Sequence, residues 1–193
     1  MFSIFPHGAR NQKGEAVLAT IPIAKMNLQD AYEFIRSKHS EQATETLRSM
    51  IGTTTKEEIS AFKKLNFQVA TFSGIFSRRR ASDLLERTPY ITIDIDNLNS
   101  REEARDVQHK LMDDHHVKTL LSFVSPSGLG TKGVVLLPEW CENYDFKTQF
   151  KMLQEYIAFE HGISIDASGS DVCRACFLPH DAQCMIKTDL LTF

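Results

Sequence analysis

Tyr90-Ile91-Thr92-Ile93-Asp94-Ile95-Asp96 is the stretch from which the rest of the chain is read. Its alternation predicts a strand with Ile91, Ile93 and Ile95 on one face and Tyr90, Thr92, Asp94 and Asp96 on the other. The isoleucine face can pack on helices. The opposite face ends in two carboxylates, about 7 Å apart along the chain. Such a pair repels itself unless a cation lies near it. Aspartate also suits a turn at a strand end, so the pair needs further support before it reads as a site.

Downstream, Ser100 and Glu103 have capping-box spacing and open a helix with Ala104, Val107, Leu111 and Met112 on one face. Two strands follow, VKTLLSFVS (117–125) and KGVVLLP (132–138), joined by the turn PSGLGT. A helix over 145–160 buries Phe146, Phe150, Leu153 and Ile157, and Gly162 stops it. A turn at Asp166 and a strand-like VCRACFLP (172–179) complete the order β-α-β-β-α-β, the split βαβ or ferredoxin-like arrangement. This α/β (α+β) core spans 67–193, and an N-terminal mixed α/β subdomain spans 1–66, within one domain of residues 1–193.

Upstream, 2–5 and 16–23 read as strands. Asn27 caps a helix with Leu28, Ala31, Phe34 and Ile35 on one face, and a weaker helix covers 41–50. Thr55 and Glu58 cap a third helix carrying Ile59, Phe62 and Leu65. FQVATFSGIF (67–76) reads as a strand and 82–87 as a short helix, with the basic triplet Arg78-Arg79-Arg80 between them.

The 193 residues, 42% hydrophobic and 24% charged, exclude a disordered tail, a fibrous rod and a disulfide-built miniprotein. Twenty-two Lys and Arg against 25 Asp and Glu give a net charge of −3, which argues against a basic, non-specific DNA coat protein. Four cysteines, three of them clustered, suit a reducing compartment. No apolar run reaches the roughly 18 residues of a membrane span, and MFSIFPHGARNQKGE shows no signal-peptide pattern. The expectation is a cytoplasmic protein or a piece of one; the lack of a helicase motif and the LLTF ending fit a fragment.

Asp166, in GISIDASGSD, lies where the topology returns beside the first strand, so it can join Asp94 and Asp96 in a cation site. Oxygen-only ligands favour magnesium or manganese. Asp171 reads as a turn stabiliser. Ser125, Ser127, Gly128 and Lys132 of the glycine hairpin form a candidate triphosphate cradle, although the spacing is not that of a Walker A loop. Arg174 can add a guanidinium fork, and Arg78, Arg79 and Arg80, with Lys63 and Lys64, can track a nucleic-acid backbone. Solvated or ion-paired arginines are the plainer alternative.

Two rival metal groupings stand beside this one. Cys173, Cys176, His180 and Cys184 have nearly zinc-like spacing, but a strand would turn Cys173 and Cys176 to opposite faces. Asp113-Asp114-His115-His116 falls at a helix end, where such residues are ordinary. A topoisomerase-primase site would need a glutamate strand before the Asp-x-Asp. A rolling-circle nicking enzyme would need a His-apolar-His pair.

TFSGIFSRRRASDLLERTPYITIDIDNL, SFVSPSGLGTKGVVLLP and GISIDASGSDVCRACFLPHD together resemble the N-terminal primase-polymerase-like domain of virulence-associated protein E-type replication proteins, of the archaeo-eukaryotic primase superfamily. The resemblance is strongest over 67–181. It implies an RNA-recognition-motif-like βαββαβ catalytic core and DNA primase/polymerase activity in a phage or mobile element. It also implies a two-metal site of Mg or Mn held by Asp94, Asp96 and Asp166. Nucleoside triphosphates, a single-stranded DNA template and a helicase domain in the same or a neighbouring chain are the implied partners; no membrane is. Where the family's second motif has a histidine, Lys132 stands here. The alternative is a catalytically degenerate module that binds single-stranded DNA or nucleotides without synthesis.

Overall fold

The computed structural model describes residues 1–188, so the LLTF ending lies outside the described residues. The stretch 90–96 forms the expected strand, β8 (Tyr90–Ile95) in the numbering of the whole chain, and Asn97 ends it in a left-handed conformation, φ 62°. Helix α4 (Arg101–Asp113) follows from an Ser100 cap. Ser100 Oγ accepts the Glu103 N–H, but the Glu103 carboxylate turns to Asn99, so only half of the expected capping box forms. Strands β9 (Thr119–Val124) and β10 (Thr131–Leu136) come next, then α5 (Phe146–His161), capped by Asp145 and stopped by Gly162 at φ 66°.

Strand β10 lies between β8 and β9, antiparallel to both. This is the central part of the predicted split βαβ. Ile91, Ile93 and Ile95 are buried with Val107 and Leu111 of α4 and Phe150, Leu153 and Ile157 of α5, so both helices cover the isoleucine face. Full burial of each such side chain contributes about 1.5–3 kcal/mol.

The fourth strand of that arrangement differs from expectation. The segment before Asp166 is extended but forms no ladder; one bond, Asp166 N–H to the Asp94 carbonyl at 2.8 Å, ties it to the free edge of β8. The sheet gains its fourth strand on the opposite edge, where β12 (Met185–Ile186) pairs with β9. Of 172–179, only β11 (Cys176–Phe177) is strand, and it joins a different sheet. A turn closed by the Arg174 N–H on the Asp171 carbonyl, at 2.9 Å, takes up the first part of the run.

That other sheet is ordered β11-β5-β1-β4, from β1 (Phe2–Phe5), β4 (Ala24–Met26) and β5 (Val69–Thr71). It therefore takes strands from both sides of residue 66. Its Phe2, Ile4, Ala70 and Phe72 pack with α1 (Leu28–Arg36) against Leu121, Phe123 and Val134 of the β8–β10 sheet. Helices α2 (Glu41–Met50) and α3 (Lys56–Asn66) form as expected, α3 with its Thr55–Glu58 capping box.

Three upstream readings are corrected. Only β3 (Ala16–Val17) of 16–23 is strand, paired with β2 (Ala9–Arg10). The run 67–76 is broken at Phe72-Ser73 into β5 and β6 (Gly74–Phe76), which enter separate sheets. The expected helix 82–87 is a short 3-10 turn followed by β7 (Leu84–Arg87), because pairing with β6 overrides local helix preference. Among the described residues the fold is mixed α/β, with five α-helices and four antiparallel sheets and no barrel. No described helix is long and apolar enough to cross a membrane.

Candidate metal and nucleotide site

Asp94 and Asp96 reach the face of β8 opposite the isoleucines, as the alternation requires. The bond from Asp166 N–H to the Asp94 carbonyl draws the third acid to the same strand end. One oxygen from each of Asp94, Asp96 and Asp166 lies within 4.8 Å of the other two. They are the one such group of three or more metal-ligating side chains among the described residues.

Each acid has a different environment. Asp94 faces Lys132 across the ladder in direct register, and the ammonium donates to Asp94 Oδ2. Asp94 Oδ1 is buried and has no hydrogen-bond partner. Burial, and then the Asp94 charge, push the Asp96 carboxyl above its ordinary range. Burial pushes Asp166 up as well, but bonds from Ser168 and the charges of Arg174 and Lys132 hold it below that range. Its Oδ1 accepts the Ser168 N–H at 3.0 Å, and its Oδ2 accepts Ser168 Oγ and Arg174 Nη2, the latter at 3.1 Å.

Around the acids lies a cleft of about 570 Å³, lined by Asp94, Asp96, Ser125, Ser127, Lys132, Ser168 and Arg174, with Lys63, Lys64 and Arg79 opposite. Burial opposes the charge on Lys132, but the Asp94 carboxylate more than offsets this and holds its ammonium above its ordinary range. Burial and the nearby Lys132 lower Lys63. An orphaned carboxylate oxygen among oxygen-only donors fits a hard divalent cation, magnesium or manganese, and a basic wall suits phosphate.

The hairpin residues divide. Ser125 and Ser127 bond each other through their hydroxyls at 3.0 Å and line the cleft. Gly128, at φ 82°, instead faces the Arg48 side chain and is not among the lining residues. Gly130 is the glycine that the site needs: a Cβ there would fall 2.4 Å from the Ile95 carbonyl and 3.2 Å from Asp96 Oδ1.

The basic triplet divides too. Arg79 lines the cleft, held by its N–H on the Thr20 carbonyl, whereas Arg78 and Arg80 are exposed and are not among the lining residues. Arg80 lies 3.6 Å from Asp83. Ser168 escaped the sequence reading; its signal is the Asp-x-Ser spacing after Asp166, by which the acid caps its own 3-10 turn.

The rival metal groupings do not assemble. Cys173 and Cys176 enter different core clusters, and His180 bonds the Ser37 carbonyl and lies 3.7 Å from Glu41. Burial raises the Cys176 thiol to about 12, which suits an inert core cysteine. Asp114 is bound within the protein by His161, Tyr156 and two backbone N–H groups. Asp171 stabilises its own turn by accepting the Cys173 N–H at 3.0 Å.

No curated protein and no solved structure gives a significant match to this chain. Residues 61–185, which hold β5 through β11 and every acid of the cluster, match the family model described as the BT4734-like, N-terminal domain. That match covers more than half of the sequence, and the chain belongs to the BT4734-like N-terminal domain family.

Proposed function

We propose that this domain carries out divalent-metal-dependent nucleotidyl transfer, as a DNA primase-polymerase of a mobile element or phage. The observation that carries the reading is the meeting of Asp94, Asp96 and Asp166 beside a basic cleft, with one buried carboxylate oxygen left without a partner. A cation bound there would acidify a primer 3′-OH and offset charge on the reacting phosphates. The protein's own groups have separable tasks. Asp94, Asp96 and Asp166 hold the metal. Arg174 both steadies Asp166 and offers a guanidinium to a triphosphate, with Lys63 across the cleft. Ser125 and Ser127 give hydroxyl donors at the hairpin, and Arg79 lies on the wall where a single-stranded template would run.

A binding module without synthesis is the second reading. It is favoured by the Lys132–Asp94 ion pair, which occupies one carboxylate oxygen. Primer extension with manganese and nucleoside triphosphates, run beside calorimetry with the same ligands, separates the two. Product formed by the wild type and lost in both Asp94→Ala and Asp166→Ala supports the enzyme. Nucleotide binding with no product supports the module. Full activity in both variants would reject the site.

A further inference from the structure

Lys132 occupies the position that a second cation would take beside Asp94. It sits on β10, the strand flanked by β8 and β9, directly opposite Asp94, and its side chain is only 8% exposed against 12% for Asp94. Its ammonium takes Asp94 Oδ2, while Oδ1 of the same carboxylate is buried and bare. Paired-metal sites for phosphoryl transfer set two ions about 3.5–4 Å apart and rely on carboxylates shared between them. Asp94 is the most enclosed acid of this cluster, and one of its two oxygens is already committed.

We propose that the Asp94–Asp96–Asp166 cluster holds a single divalent cation, and that the Lys132 ammonium stands in for a second. The inference rests on the metal-dependent reading and narrows it. Three carboxylates carry three negative charges; one divalent ion and one ammonium balance them. A second ion would leave the cluster at a net charge of two positive, before Lys63 and Arg174 on the cleft wall are added. Like charges at such separations repel, most strongly on the enclosed Asp94–Lys132 side of the site. Lys132 is also poorly placed to withdraw: its backbone is paired on both sides, and Cys176 of β11 lies nearby.

The test counts manganese on the full chain without nucleotide, by calorimetry and by electron paramagnetic resonance. The wild type is expected to bind one ion per chain, with the sharp six-line spectrum of an isolated ion. Lys132→Met is expected to bind two, the second more weakly, with a spectrum broadened by coupling between neighbouring ions. Lys132→Arg keeps the charge and is expected to bind one, which holds the question open to measurement should the methionine variant fail to fold. Two coupled ions in the wild type, or a single ion in folded Lys132→Met, would overturn the proposal while leaving a metal site in place. No manganese bound by the wild type would instead overturn the metal-dependent reading itself, and the proposal with it.

Discussion

Two largely enclosed aspartates, Asp94 and Asp114, lie at opposite ends of the β8–α4–β9 crossover, and each faces a basic side chain. Their side chains are similarly enclosed, 12% and 4% exposed. Asp114 has its oxygens filled: the His116 and Val117 N–H groups at 2.8 Å, the Tyr156 hydroxyl at 3.2 Å and His161 Nε2 at 2.6 Å. Asp94 has one ammonium on Oδ2 and nothing on Oδ1. A saturated buried carboxylate joins α4 to α5 and has no capacity left for a ligand. An unsaturated one keeps a desolvation cost that only a further cation relieves.

The largest expected effect breaks the saturated member. Asp114→Ala should cost about 3 kcal/mol, a melting-temperature loss of about 6–12 °C in a chain of this length, because four donors lose their acceptor. Calorimetric melting checks it. Asp94→Asn, by contrast, keeps an oxygen acceptor for the Lys132 ammonium and relieves the bare Oδ1, so it should lower the melting temperature of the metal-free protein less than Asp114→Ala does, while removing the upward shift that manganese gives the wild type. A loss matching that of Asp114→Ala would erase the distinction.

Gly130→Ala comes next. The added methyl would press on the Ile95 carbonyl, so the β8–β10 end must shift, at about 1–3 kcal/mol, and manganese affinity should fall with it. Denaturant titration and calorimetry read the two effects separately.

Acid sharpens the comparison further. Burial pushes the Asp114 carboxyl up, but its hydrogen bonds from Val117, His161, His116 and Tyr156 outweigh burial and hold it below the ordinary value of 3.8. A carboxyl depressed by folding stabilises the protein above its unfolded pKa, and that share is lost as pH falls through the lower folded value. Stability should therefore drop below about pH 4, and His161→Gln should make the drop shallower. Urea titrations from pH 7 to pH 3 measure both slopes. The smallest effect is expected of Arg174→Gln: its pair with Asp166 is more than a third exposed, so stability should move by less than about 1 kcal/mol. Triphosphate affinity, read by calorimetry, should weaken more visibly.

The legible parts of the chain were those where one local rule decides. Alternation in 90–96 fixed which side of β8 carries the acids, and Asn27 and Thr55 start helices where their side chains predict. Apolar runs misled where partners, and not local preference, set the structure. FQVATFSGIF looks continuous, yet Phe72-Ser73 sends its halves to different sheets. VCRACFLP has strand composition, but its first half is spent on the turn that aims Arg174 at Asp166. The acid cluster was readable from topology. The roles of Ser168 and Gly130 were not, because each depends on a close approach that only the assembled chain creates.

The tether between Asp166 and Asp94 sets an order of events during synthesis. A nascent chain that has emerged only as far as α5 already contains strands β8, β9 and β10 and two of the three acids, but lacks the segment that closes the cluster. The same late stretch supplies β11, the edge of the sheet begun at the amino terminus. The capacity to coordinate an ion and the sealing of that sheet thus arrive together, once the stretch after α5 has been made.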